Sequence, residues 1–436
     1  MRTRREINSA EWFGEVPDGW NMVPLPRLFM SSKGMTVTRA DLVDEGAPVV
    51  NYAQVHSKLN NRFGIHEELI KHVPTGMVPK GLKYSEKGSF IFACTSEDLA
   101  GCGDCIYNDS ERPVNPGGDT LLLSPVDEVE NKYLAYLFST DMWRWQIRRD
   151  LIDVKVFHVN QGNLHETYVT VPPCDVQRRI VSYLDERCAA IDDDVKKRQK
   201  VIERLKEYKK SLIAHAVTKG LDPTAEMKDS DIKWVDQIPS NWQTSKLKAL
   251  FQITKRIAGV EGLTVLSITQ DGIRPKDFST GKGQFAETYS HYQLVHPGDF
   301  AMNHMDLLTG WVDISRYEGV TSPDYRVFSA RDLAVSNPSY YLYLFQMCYL
   351  NRVFFGSANG VADKGRMRLQ TNAFNNFVVP LPPLEEQKRI AAYLDERCVA
   401  IDEAISRQEQ LIEKLGEYRK SVIHHAVTGK IDCTEA

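Results

Sequence analysis

Residues 172–192 read PPCDVQRRIVSYLDERCAAID, and residues 382–402 read PPLEEQKRIAAYLDERCVAID. Sliding the chain by 210 positions lays 171–220 on 381–430 with 26 identities in 50 positions. Each copy opens on two prolines, which suit a first helical turn because the N–H they lack would have no partner there. Acidic residues follow (Asp175; Glu385 and Glu386), where the positive end of the helix dipole favours them. Cys188, Ile191, Val195, Ile202, Leu205, Leu212 and Ala216 then recur at three- and four-residue steps, matched by Cys398, Ile401, Ile405, Ile412, Leu415, Val422 and Ala426. That is a heptad seam, interrupted at matching places by Arg198 or Gln408 and by Lys209 or Arg419. The spacing predicts two helices of about 45 residues, each about 65–70 Å long. Neither can bury its stripe alone, so the two are expected to pack on each other, antiparallel.

Outward from these segments the repeat weakens. At an offset of 222, Trp12, Pro17, Trp20 and Phe29 meet Trp234, Pro239, Trp242 and Phe251. Between lead-in and helix lie bodies that share only hints of register, such as Gly88-Ser-Phe90 over Gly298-Asp-Phe300. The chain of 436 residues is too long for one core and fits two domains. Short β-rich runs (Val49–Tyr52, Ser89–Phe92, Thr264–Ser267, Tyr325–Phe328) are bounded by Gly, Pro, Asn and Asp, and helical patches follow at Asn131–Ser139 and Pro338–Leu350. The expected fold class is α+β: two loop-rich α/β domains joined by two long helices packed as an antiparallel coiled coil, an internal pseudo-twofold repeat. The expected boundaries are 1–170 and 234–380 for the bodies, 171–220 and 381–436 for the helical regions, and 221–233 for a linker.

Composition excludes several classes. Apolar residues make up 42% of the chain and charged residues 26%, as in an ordinary folded protein. No run approaches the roughly 20 apolar residues of a membrane span, and Met1-Arg-Thr-Arg-Arg leads into no export signal. Eight cysteines without a framework read as reduced thiols, and a cytoplasmic location is expected. No Gly-x-x-x-x-Gly-Lys-Ser/Thr phosphate loop is present, nor a glycine-rich dinucleotide or S-adenosylmethionine site. Ser322-Pro-Asp-Tyr325 lacks the second proline of an amino-methyltransferase motif and reads as a turn entering a strand. Cys102-Gly-Asp-Cys105, with Cys94 upstream, has zinc-ligand spacing but no second pair, and a metal is not expected.

Net charge is −4, so an anionic partner must be met by local patches. Candidates in the first body are Lys58, Arg62, Lys80, Lys83 and Arg148; in the second, Arg274, Lys276, Lys364, Arg366 and Arg368, followed by Gln370 and Asn372. Arginine suits phosphate and guanine, and Gln or Asn suits adenine.

The doubled pattern Pro-Pro-x-x-x-Gln-x-Arg-Ile-x-x-Tyr-Leu-Asp-Glu-Arg-Cys, then Ile-Asp and a heptad helix, resembles the specificity subunit of Type I restriction-modification systems. Ile238-Pro-Ser-Asn-Trp242, with its twin Val16-Pro-Asp-Gly-Trp20, belongs to the same pattern. The resemblance covers the whole chain. It implies a non-catalytic DNA-recognition subunit whose two domains each read half of a split double-stranded target. It further implies helices that act as spacer and as dock for two methylation subunits, with restriction subunits in the full complex. S-adenosylmethionine, ATP and Mg are implied for those partners, and no cofactor for this chain. The competing readings are a self-sufficient methyltransferase or nuclease, disfavoured by the missing motifs, and a coiled-coil adaptor, which leaves the diverged bodies unexplained.

Overall fold

A computed structural model describes residues 13, 16–126, 129–149, 151, 156–279, 286–357, 367–431 and 433. The chain divides into two compact units, 1–197 with 410–436, and 198–409. In the first, strands β1 (Phe29–Lys33), β2 (Phe90–Ala93), β3 (Cys105–Tyr107) and β4 (Thr120–Pro125) form an antiparallel sheet in the order β1-β4-β2-β3. Every residue of β2 is buried, as are the first four of β4, so these strands read as apolar runs without alternation. Helices α1 (Asn131–Phe138) and α2 (Asp141–Arg148) follow, with Phe138 packed on Phe90 and Trp143 at centroid distances of 5.0 and 4.2 Å. The long helix α3 spans Cys174–Lys219.

The second unit repeats this plan on different residues. Strands β5 (Phe251–Thr254), β6 (Phe300–Met302), β7 (Val312–Ile314) and β8 (Arg326–Ala330) run in the order β5-β8-β6-β7. Phe29 meets Phe90 edge-on at 5.6 Å in one sheet, and Phe251 meets Phe300 the same way at 5.5 Å in the other. Helix α4 (Pro338–Leu350) starts on Pro338, with Asn337 capping the N–H of Tyr340. The second long helix, α5, spans Leu384–Val427.

Each body is fastened to the long helices by one set of contacts, made twice. The buried hydroxyl of Tyr133 donates to the Val427 carbonyl, and that of Tyr340 to the Val217 carbonyl. Tyr136 donates to Asp185 and Tyr343 to Asp395, both at 2.7 Å. Gln177 accepts from the Glu130 N–H while donating to the Pro172 carbonyl, and Gln387 does likewise with Asn337 and Pro382. Two-stranded ladders lead straight into both helices, Asn21–Pro24 on Tyr168–Val171 and Gln243–Lys246 on Val378–Leu381. Past each helix a glycine takes a left-handed conformation, Gly220 at φ 76° and Gly429 at φ 71°. A β-carbon on Gly429 would lie 2.3 Å from Pro17 and 3.2 Å from Trp20, and one on Gly220 would lie 3.3 Å from Trp242. The aromatic lead-in of each repeat therefore seats on a helix end.

Three local readings are corrected. Val49–Tyr52 is not one strand: Ala47–Val50 ends where Asn51 and Gln54 form a reciprocal cap on the turn Tyr52–Val55. The strand expected at Thr264–Ser267 lies at Leu266–Thr269, its end fixed by the hairpin turn before Gly272. The stretch 221–233 is more than a linker, because Met227–Ile232 pairs with Val235–Pro239 and buries Ser230 and Ile232.

Candidate nucleic-acid interface

In body 1 the positive side chains divide by burial. Lys58, Lys80 and Lys83 are exposed. Arg148 is 8% exposed, and its guanidinium binds Asp141 and the carbonyls of Ala100 and Cys102. Arg62 is half-buried and pairs with Asp104 at 2.9 Å. Both are thereby corrected from surface contacts to struts of the loop joining β2 to β3. Asp104 also takes Arg144 at 2.5 Å and His56 at 3.1 Å, while the other ring nitrogen of His56 lies 2.7 Å from the Thr95 carbonyl. Burial pushes the Asp104 carboxyl up, but the His56 hydrogen bond, Arg144 and Arg62 outweigh it and hold it down to about 2. The hydrogen bond to Asp104 in turn raises His56. Cys102 and Cys105 pack in the core, and burial pushes the Cys105 thiol up to about 12. No group of three or more metal-ligating side chains occurs among the described residues.

In body 2, Arg274 is exposed on a hairpin strand facing Ser267, and Lys276 lies 5.5 Å over the Phe278 ring. Lys364 and Arg366 lie outside the described residues. Arg368, Gln370 and Asn372 are exposed along one short segment. Behind it sits a residue the sequence reading passed over, Arg326, 3% exposed at the start of β8. Its signal was a lone charge inside the apolar run Tyr325–Phe328.

The helix seam carries its own polar code. Ile191, Ile202, Ile401, Ile405 and Val422 are buried, and Val195, Leu205, Leu212, Ile412 and Leu415 are half-buried. Within the second unit Arg198 donates to Gln408 at 3.0 Å and Lys209 to Asp402 at 2.7 Å. Residue numbers rise along α3 as they fall along α5, so these segments run antiparallel. Within the first unit Arg419 donates to Asp192 at 2.6 Å. Since 192 and 402 are repeats of each other, as are 209 and 419, one ion pair is made twice. Asp192 and Asp402 were missed as seam partners, although their identity in both copies was visible. Among the described residues no helix is long and apolar enough to cross a membrane.

Comparison with known proteins adds three findings. The family described as Type I restriction modification DNA specificity domain matches residues 17–204 and again 239–414, each match running from a body into its long helix. The MjaX type I restriction enzyme specificity subunit described from Methanocaldococcus jannaschii is 25% identical over 340 residues, covering 75% of this chain and 74% of that protein. Two solved chains share the fold at 16% identity. One, from work on complex assembly and conformational transition of the type I R-M system, has a TM-score of 0.70 and covers 96% of this chain and 100% of its own. The other, the HsdS subunit from Thermoanaerobacter tengcongensis, has a TM-score of 0.52 and covers 96% of this chain and 98% of its own.

Proposed function

The chain belongs to the family of the Type I restriction modification DNA specificity domain and carries two such recognition domains; from that premise we propose that each body reads one half of a split DNA target. The observation that carries this reading is the contrast between fastening and fastened. Tyr133 and Tyr340, Gln177 and Gln387, and Asp185 and Asp395 make the same bonds in both units, whereas the bodies they hold have diverged in sequence. A constant joint beneath a variable surface suits a protein whose target changes while its partners do not.

On this reading the long helices dock two methylation subunits, and restriction subunits join through them. The chain itself holds no active site; S-adenosylmethionine, ATP and Mg serve the partners, and the complex works in the cytoplasm. The half-buried charges of the seam set the register of the helices, which space the half-sites about one helical turn, or roughly 10 base pairs, apart. Exchanging residues 21–170 for the corresponding domain of a relative tests the modular part. The methylated target should change in one half only, with the other half and the gap preserved. A swap that altered both halves together would overturn separate reading.

A further inference from the structure

We propose that the segment carrying Arg368, Gln370 and Asn372 is a contact surface of body 2 for duplex DNA, and that Arg326 is the residue that positions it. The proposal rests on the DNA-reading role argued above and names the side chains through which one body would exercise it.

Arg326 is a buried cation held, among the described residues, by neutral groups. No carboxylate pairs with it among the described residues, whereas the buried Arg144 of body 1 has Asp104. Its guanidinium instead lies 4.5 Å over the Phe374 ring, with Nη1 3.9 Å from the Met302 sulfur, and its Nη2 donates to the Leu369 carbonyl at 3.0 Å. Burying a charge without an opposite charge is costly, so the bonds that hold it there must be firm, and the one to Leu369 falls between Arg368 and Gln370. Two backbone bonds finish the placement: the Leu307 N–H donates to the Met367 carbonyl and the Leu369 N–H to the His304 carbonyl, each at 3.0 Å. Leu369 is thereby turned inward and fully buried, while Arg368 and Gln370 on either side face out, the alternation of an extended segment.

Arg368 and Gln370 make no side-chain hydrogen bond or ion pair among the described residues, and of the Asn372 side chain only Oδ1 is used, accepting from Asn376 Nδ2, which also donates to the Asn372 backbone carbonyl. Alternate residues of an extended chain stand about 6.6 Å apart, close to two base steps of about 3.4 Å. Arg368 at that distance from Gln370 offers a forked donor for guanine beside an amide whose donor and acceptor fit adenine, and Asn372 follows on the short helix Thr371–Asn376. His304, beside them, is pushed down to about 3 by burial and then by Arg326 and Arg368, which puts both positive charges near one spot.

The test uses the complex assembled with its methylation subunits. Arg368→Ala should weaken binding to the split target about tenfold and flatten the salt dependence by about one ion. Gln370→Ala should relax base preference in one half of the target. Arg326→Met keeps an apolar chain on Phe374 but removes the donor to Leu369. It should broaden base preference in that same half, with assembly, the other half and the salt slope unchanged. A lowered melting temperature with both halves still read as by wild type would make Arg326 merely structural and overturn its role. Unchanged affinity and slope for Arg368→Ala would move the contact surface elsewhere. If the wild-type complex reads no split target, the DNA-reading role itself fails, which is a distinct outcome.

Discussion

Asp104 governs the charge balance of body 1, where one carboxylate serves Arg62, Arg144 and His56. Its value in the fold is depressed from 3.8 to about 2, so the stability it adds, about 2 kcal/mol, is present above the ordinary carboxylate range and is lost as pH falls from about 4 toward 2. His56 is shifted the opposite way, raised from 6.5. Its contribution is full below 6.5 and is lost as pH rises through the folded value. Asp104→Asn should therefore flatten the pH dependence of melting at both ends and cost about 3–5 kcal/mol at neutral pH, where Arg62 and Arg144 lose their counter-charge. Melting curves across the acid and alkaline limbs check this; a variant with the wild-type pH profile would refute it. At this scale the sequence exposed charges but not their burial. Arg62 and Arg148 looked like surface cations because Asp104, which pairs with Arg62, and the Cys102 and Ala100 carbonyls, which hold Arg148, lie 42 to 48 residues away, and only a folded loop brings those together.

The helices were the most legible elements, because their periodicity is local and survives twice in one chain. Strand limits were less so, since turns such as Asn51 and the hairpin before Gly272 set them through side-chain caps and pairing partners. Two predictions belong here. Ile202→Asp buries a carboxylate in the seam, losing about 2–5 kcal/mol of packing and more for the unpaired charge; Ile412→Asp, at a half-buried site, should cost less. Both should abolish assembly with the methylation subunits on a sizing column, and normal elution of both complexes would refute the seam's role. Inserting seven residues after Arg198, matched by seven after Gln408, keeps the heptad in register. If the helices set the spacing, the methylated target should keep both words and change its gap. An unaltered gap would show that they do not.

Over the whole molecule, duplication was the property most visible in the sequence and the recognised bases the least. Both sheets share a strand order although their residues differ, because apolar runs such as Phe90–Ala93 and Phe300–Met302 need only fit a core. The surfaces that would touch DNA obey no such internal constraint, so the two copies cannot be read against each other there. Comparing the methylated sites of a host with and without this chain, its methylation partner kept intact, tests the central claim most directly. The expected result is a motif of two different short words, separated by a fixed unspecified gap, that is methylated only when the chain is present. Methylation that persists without the chain, or a chain-dependent motif that is one uninterrupted word, would contradict a subunit that reads DNA through two separate bodies.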